Sequence, residues 1–159
     1  MLCIVQRVTS ARVVVEGQTI GQIDRGMLVL AAVERGDTSA GAEWMAGKLA
    51  GMRIFQSEGK YFEADVKQIG GAVLLVSNFT VAAATRKGRR PSFDPAADPA
   101  DAEPIFNELV RAVAALGVPV QTGKFGASME VSLVNDGPAT FIVRTDPHNA
   151  EVGTTDGHR

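Results

Sequence analysis

Along this chain the apolar positions come in short runs separated by turn residues, and only two segments show helical spacing. Residues 2–8 and 11–15 read as two short strands with Thr9 and Ser10 between them, the second carrying the β-branched Val13, Val14 and Val15. Glu16, Gly17 and Gln18 read as a turn that returns residues 19–23 as the other arm of a hairpin. A second turn signal, Asp24-Arg25-Gly26, precedes a wholly apolar strand over residues 27–33. Residues 34–39 break the pattern and offer Asp37, Thr38 or Ser39 as the cap of a helix over residues 40–51. That helix carries two stripes, Trp44-Lys48-Met52 and Met45-Leu49. Its three glycines each cost about 1 kcal/mol against alanine, unless they let the helix lie close on a sheet.

Residues 53–55 resume a strand, residues 56–60 form a hairpin tip, and residues 68–71 lead into the apolar run 72–76. That run is continuous rather than alternating, which suits a strand buried on both faces. After a proline-rich stretch, Ile105, Phe106, Leu109, Val110, Val113 and Leu116 fall at helical spacing over residues 101–116, with Gly117 as the stop. Pro119 confines residues 118–120 to a sheet edge. Two last strands, 129–134 and 139–144, are joined by Asn135-Asp136-Gly137-Pro138, the composition of a hairpin turn. The fold class expected is mixed α/β: largely antiparallel sheets in a barrel-like arrangement with two main helices, as a single domain over residues 1–145. The tail 146–159 lacks periodicity and is expected to be disordered.

Composition narrows the chemistry. The 159 residues are 21% charged and 45% hydrophobic, with a net charge of −2, so any contact with nucleic acid must come from a local patch. Cys3 is the one cysteine, which excludes an internal disulfide and a cysteine-cluster metal site and fits a reducing compartment. The apolar run at the N-terminus is too short for a signal peptide and no run is long enough to cross a membrane, so a cytoplasmic protein is expected. The only histidines, His148 and His158, fall in the tail. This argues against a Ser-His-Asp triad, a Cys-His dyad or a histidine zinc site. An enzyme built on this chain works without imidazole.

Three stretches carry candidate chemistry. Ser77-Asn78-Phe79-Thr80 follows the apolar run. It reads either as a strand terminator through side-chain to backbone hydrogen bonds or as a carbonyl cradle whose N–H groups stabilise an oxyanion. Thr80 as a nucleophile lacks a visible base. Arg86, Lys87, Arg89 and Arg90 form a cationic loop, readable as a solvated face or as contacts to phosphates. Asn135-Asp136-Gly137-Pro138-Ala139-Thr140 is sufficient as a turn, and becomes a rigid polar wall if the Gly-Pro peptide is cis.

Together these residues resemble the D-aminoacyl-tRNA deacylases of bacteria and eukaryotes over about residues 1–145. The likeness includes Gln6-Arg7-Val8, Gly70-Gly71, Arg90-Pro91-Ser92-Phe93, Gln121-Thr122-Gly123 and the run from Val131 into Pro138. The family signatures Ser-Gln-x-Thr and Asn-x-Gly-Pro-x-Thr fall on Ser77 to Thr80 and Asn135 to Thr140, with Asn78 standing where the family has Gln. The resemblance implies a homodimer whose active sites are shared between chains, with no cofactor or metal. Ser77, Asn78, Phe79 and Thr80 would form the catalytic floor. Gly137 and Pro138, joined by a cis peptide, would enter from the partner and reject L-amino acids, with Asn135, Thr140, Arg7 and Met129 in the same binding and selection role. Arg86, Lys87, Arg89 and Arg90 would hold tRNA. The implied reaction is hydrolysis of D-aminoacyl-tRNA, and of glycyl-tRNA mischarged on tRNA(Ala). The Phe79 N–H would act as oxyanion donor and the 2′-hydroxyl of the substrate would activate water. A tRNA-binding module without catalysis is the alternative, favoured only by Asn78.

Overall fold

The computed structural model describes residues 1–146. Both histidines and, apart from Asp146, the expected tail lie outside them. The expected break at Thr9 and Ser10 is absent: β1 (Leu2–Val15) runs through it as one strand. Glu16 and Gly17, at φ 49° and 76°, then form the two-residue turn into β2 (Gln18–Ile23), the left-handed pair that a tight hairpin requires. β3 (Gly26–Ala32) follows. One edge of β1 pairs antiparallel with β3 from Leu2 to Val8 and then with β2 from Ala11 to Val15. The strand changes neighbour at Thr9-Ser10 without ending.

α1 (Ser39–Gly51) is capped by Thr38, whose hydroxyl accepts the Gly41 N–H at 3.2 Å. β4 (Phe55–Ser57) and β5 (Lys60–Ala64) form a separate hairpin. β6 (Ala72–Ser77) lies parallel to β3, α2 (Pro99–Ala115) crosses behind, and β7 (Val120–Thr122) adds a second parallel pairing on the far side of β6. β8 (Glu130–Arg144) returns antiparallel along the free edge of β1. The six-stranded sheet thus combines three antiparallel pairings around β1 with two parallel ones around β6. It curls until Gly21 on β2 faces the carbonyl of Thr122 on β7, nearly closing a barrel.

β6 explains why its run is apolar throughout. Val73 and Leu75 point to the helices, where they meet Met45, Leu49, Phe106, Leu109 and Val113. Leu74 and Val76 point into the barrel, among Val8, Ala11, Val13, Ile23 and Leu28. Each fully buried leucine contributes roughly 1.5–3 kcal/mol through its loss of contact with water. Cys3 is buried in the helix-side core, and desolvation pushes its thiol up to about 12. It keeps its proton and packs as a small apolar side chain.

In α1 the stripe Met45-Leu49, with Ala42 and Ala46, faces the core, whereas Trp44 and Lys48 stay exposed. Close approach to a sheet does not account for Gly47 and Gly51, since a Cβ at either would meet nothing within 4 Å. Among the described residues no helix is long and apolar enough to cross a membrane.

The glycines of β2 and α1 therefore predict opposite effects. Gly21→Ala drives a methyl group against the Thr122 carbonyl and lowers the unfolding free energy by about 2–3 kcal/mol. Gly47→Ala, in open space on an exposed helix face, raises it by about 0.5–1 kcal/mol. Denaturant titration of both variants checks the pair, and a harmless Gly21→Ala would contradict the barrel closure.

Candidate active site

The parallel part of the sheet decides where a pocket can form. β3, β6 and β7 point the same way, so the segments leaving their C-terminal ends converge on one side, where open α/β sheets bind ligands. A cavity of about 580 Å³ lies there. Its lining includes Val33 and Arg35 after β3, Ser77, Asn78 and Phe79 at the end of β6, and Phe125, Gly126 and Ala127 after β7. Met129, just before β8, and Val131 near its start close another side.

The floor is fixed by backbone bonds. Asn78 N–H donates to the Ala31 carbonyl at 2.8 Å, extending the ladder with β3 by one step. The chain then enters a single 3-10 turn, Phe79–Ala82, which no side chain caps. The N–H groups of Phe79 and Thr80 stand in its first turn and have no acceptor among the described residues. Two backbone donors at the edge of a cavity are suited to a developing negative charge on a carbonyl oxygen. The Thr80 hydroxyl instead donates to the amide oxygen of Asn78 at 2.5 Å. An amide oxygen is no base, so nothing in that contact activates Thr80 as a nucleophile. Phe79, half exposed, stacks edge-on against Phe93 with centroids 5.2 Å apart and makes an aromatic lip.

Asn135-Asp136-Gly137-Pro138 is not a hairpin turn. β8 continues through it, and both halves pair with the same strand: Gln6 opposes Thr140 and Val8 opposes Asn135. Two steps on β1 therefore face five on β8, and the surplus leaves the ladder as an excursion. Asn135 closes its base, donating from Nδ2 to the carbonyls of Arg7 and Ala139, each at 3.0 Å. Arg7 Nε donates to the Asp136 carbonyl at 2.8 Å, with the Asp136 carboxylate 3.3 Å away, and its NH1 donates to the Ile54 carbonyl at 2.7 Å. Gln6 Nε2 donates to the Thr140 hydroxyl at 3.1 Å. The Gly137–Pro138 peptide at the tip is cis, and both residues are exposed. Gly137 is required for space rather than for φ: a Cβ there would run into Asn135 Oδ1 and crowd the Ala139 nitrogen.

The expected site residues thus fall into three groups. Ser77, Asn78, Phe79 and Met129 line the cavity, with Thr80 bonded to Asn78 beside them. Arg7, Asn135, Gly137, Pro138 and Thr140 gather at the excursion and contribute nothing to the lining of that cavity. Arg86, Lys87, Arg89 and Arg90 project from a loop pinched shut by reciprocal Ala84–Ser92 backbone bonds of 2.8 Å. All four are exposed, and none forms an ion pair among the described residues. Sequence reasoning missed Arg35 and the segment Phe125-Gly126-Ala127. Arg35 is held at the cavity by Nε donating to the Asp94 carbonyl at 2.7 Å, and only its place just after β3 pointed to it.

Known proteins resemble this chain over nearly all of the described residues. A profile of the family described as D-Tyr-tRNA(Tyr) deacylase matches residues 4–144. A D-aminoacyl-tRNA deacylase of Geobacter sulfurreducens is 48% identical over 145 residues, 91% of this chain and 95% of that protein. One of Shewanella loihica is 52% identical over 141 residues, 89% of this chain and 97% of that protein. Among solved structures, a c-Myc DNA unwinding element binding protein superposes with a TM-score of 0.88 at 36% identity, covering 92% of this chain and 99% of its own. A probable eukaryotic D-amino acid tRNA deacylase superposes with a TM-score of 0.75 over 89% of this chain and 97% of its own; at 17% identity it speaks for the fold alone.

Proposed function

The chain belongs to the D-Tyr-tRNA(Tyr) deacylase family, and we propose that its cavity takes the aminoacylated end of a tRNA and hydrolyses the ester between a D-amino acid and the terminal adenosine. One local observation carries the placement of the chemistry: the free N–H pair of Phe79 and Thr80 at the cavity edge. The scissile carbonyl sits with its oxygen toward the Phe79 N–H. Water adds to the carbonyl carbon, the developing oxyanion is held by that donor, and the bond to the ribose 3′ oxygen breaks, that oxygen leaving with the proton relayed from the water through the 2′-hydroxyl. Loss of one such donor costs about 2.7–4 kcal/mol in related chemistry. The one carboxylate that lines the cavity, Asp98, is paired with Arg35 at 3.4 Å, so the neighbouring 2′-hydroxyl of the ribose activates the water. Asn78 orients the Thr80 hydroxyl and takes no covalent part. A tRNA-binding module without catalysis would leave the two donors without a purpose.

Selection against L-amino acids uses a second copy of the chain. The excursion with Gly137 and Pro138 is absent from the lining of its own cavity, protrudes from an edge strand, and has exposed Val134 and Ile142 on either side. In a homodimer it enters the partner's cavity, and its backbone blocks the direction an L side chain would take. A glycyl ester offers nothing to block and is cleaved as well, including glycine mischarged on tRNA(Ala). Arg86, Lys87, Arg89 and Arg90 neutralise phosphates of the tRNA, and the enzyme works in the cytoplasm beside the rest of translation.

Purified protein with chelator present cleaves D-Tyr-tRNA and Gly-tRNA and spares L-Tyr-tRNA, and Thr80→Ala keeps most of that activity. Failure to cleave any ester while tRNA stays bound would select the binding module. Replacing the four loop cations by alanine raises KM and lowers the slope of log binding constant against log salt concentration by roughly one per lost phosphate contact. A salt slope equal to wild type would remove the loop from the interface.

A further inference from the structure

Phe62 is the one described residue outside glycine that holds a left-handed backbone away from a turn. Three non-glycine residues have positive φ: Glu16 at 49°, Glu58 at 50° and Phe62 at 53°. The glutamates occupy the first position of two-residue hairpin turns, where that conformation is required. Phe62 lies inside β5. The register of its hairpin gives the cause. Phe55 opposes Ala64 and Ser57 opposes Lys60, so β4 advances two residues while β5 advances four. The surplus falls around Phe62.

The ring goes to Arg7. Its face lies 5.9 Å from the guanidinium carbon, within the range of a cation–π contact, and its edge meets Phe141 on β8 at 6.3 Å and 88°. The Arg7 side chain is 12% exposed, and its bonds to the Asp136 and Ile54 carbonyls hold it from two directions. The aromatic face of Phe62, itself half exposed, covers a third. A bulky residue held in a conformation it rarely adopts, with its ring against the arginine that anchors a functional excursion, marks a positioning role.

We infer that Phe62 is a positioning residue for stereoselection: its ring fixes the Arg7 guanidinium, which fixes the peptide entering Gly137-Pro138. The consequence for substrates rests on the deacylase reading above; the contact with Arg7 does not. The test compares Phe62→Gly, which relaxes the backbone as it removes the ring, with Phe62→Tyr, which keeps an aromatic face, and Phe62→Leu, which keeps apolar bulk alone. In 15N-labelled protein, solvent exchange of the Arg7 Nε–H quickens about tenfold in the Gly and Leu variants and stays within about twofold of wild type in the Tyr variant. On the same samples, the D-Tyr over L-Tyr preference falls about tenfold in the Gly and Leu variants, with KM for tRNA unchanged and Tyr restoring wild type. Unchanged Arg7 exchange in folded Phe62→Leu overturns the inference whatever the rates. Faster exchange with an undiminished enantiomer preference overturns it too. Should wild type cleave no D-aminoacyl ester, the deacylase reading fails, and the Arg7 exchange rate still decides whether Phe62 holds the guanidinium.

Discussion

Between Gln6 and Val8, β1 advances two residues while β8 advances five, and this mismatch organises one half of the molecule. A strand that leaves its ladder frees carbonyl and N–H groups, and a backbone group left unpaired away from water costs about 1–3 kcal/mol. Arg7 and Asn135 meet that demand from opposite sides. The amide of Asn135 bridges the carbonyls of Arg7 and Ala139 across the base, and the guanidinium of Arg7 takes the Asp136 carbonyl on the way to the tip. Local side-chain chemistry thus replaces ladder bonds. The result is a protrusion with defined shape rather than a loose loop.

The other half depends on β6. Because Val73 and Leu75 face one core and Leu74 and Val76 the other, the strand cannot shift by one residue without exchanging its two cores. That constraint carries to its end, where Asn78 is tied to Ala31 and Phe79, whose N–H has no acceptor among the described residues, lines the cavity. A rigid floor and a braced protrusion in one chain face different places. Under the proposed function a second copy joins them, which ties the proposed selectivity to assembly.

The sequence carried the floor openly. An apolar run without alternation means burial on both faces, and the polar residues that end it must lie where the sheet stops. The protrusion was legible in composition and misread in form. Asn, Asp, Gly and Pro suit a hairpin turn and an excursion equally well. The choice depends on whether a distant strand continues beside them, which here is the unbroken β1. The same non-local cause hid the continuity of β1 at Thr9-Ser10, since only β2 and β3 taking turns at its edge keep it extended. Stripe counting in α1 could not separate Met45-Leu49 from Trp44-Lys48-Met52, because flanking alanines, silent in a periodicity argument, mark the buried side. Nothing in the order of residues announces a left-handed Phe62. It follows from a register slip between β4 and β5.

The central claim is that each cavity is completed by the excursion of the other subunit, and subunit mixing tests it most directly. Phe79→Pro removes the proposed oxyanion donor at a helical first position that tolerates proline. Gly137→Ala drives a methyl group against Asn135 Oδ1 and shifts the excursion, which then crowds the cavity it enters for esters of either configuration. Each variant alone should be inactive toward D-Tyr-tRNA. Unfolded together in equal amounts and refolded, they should form mixed dimers in which one site has both defects and the other has none, restoring about a quarter of wild-type activity. A mixture as inactive as its two parents would contradict the account, because it would place floor and excursion in the same site of one chain.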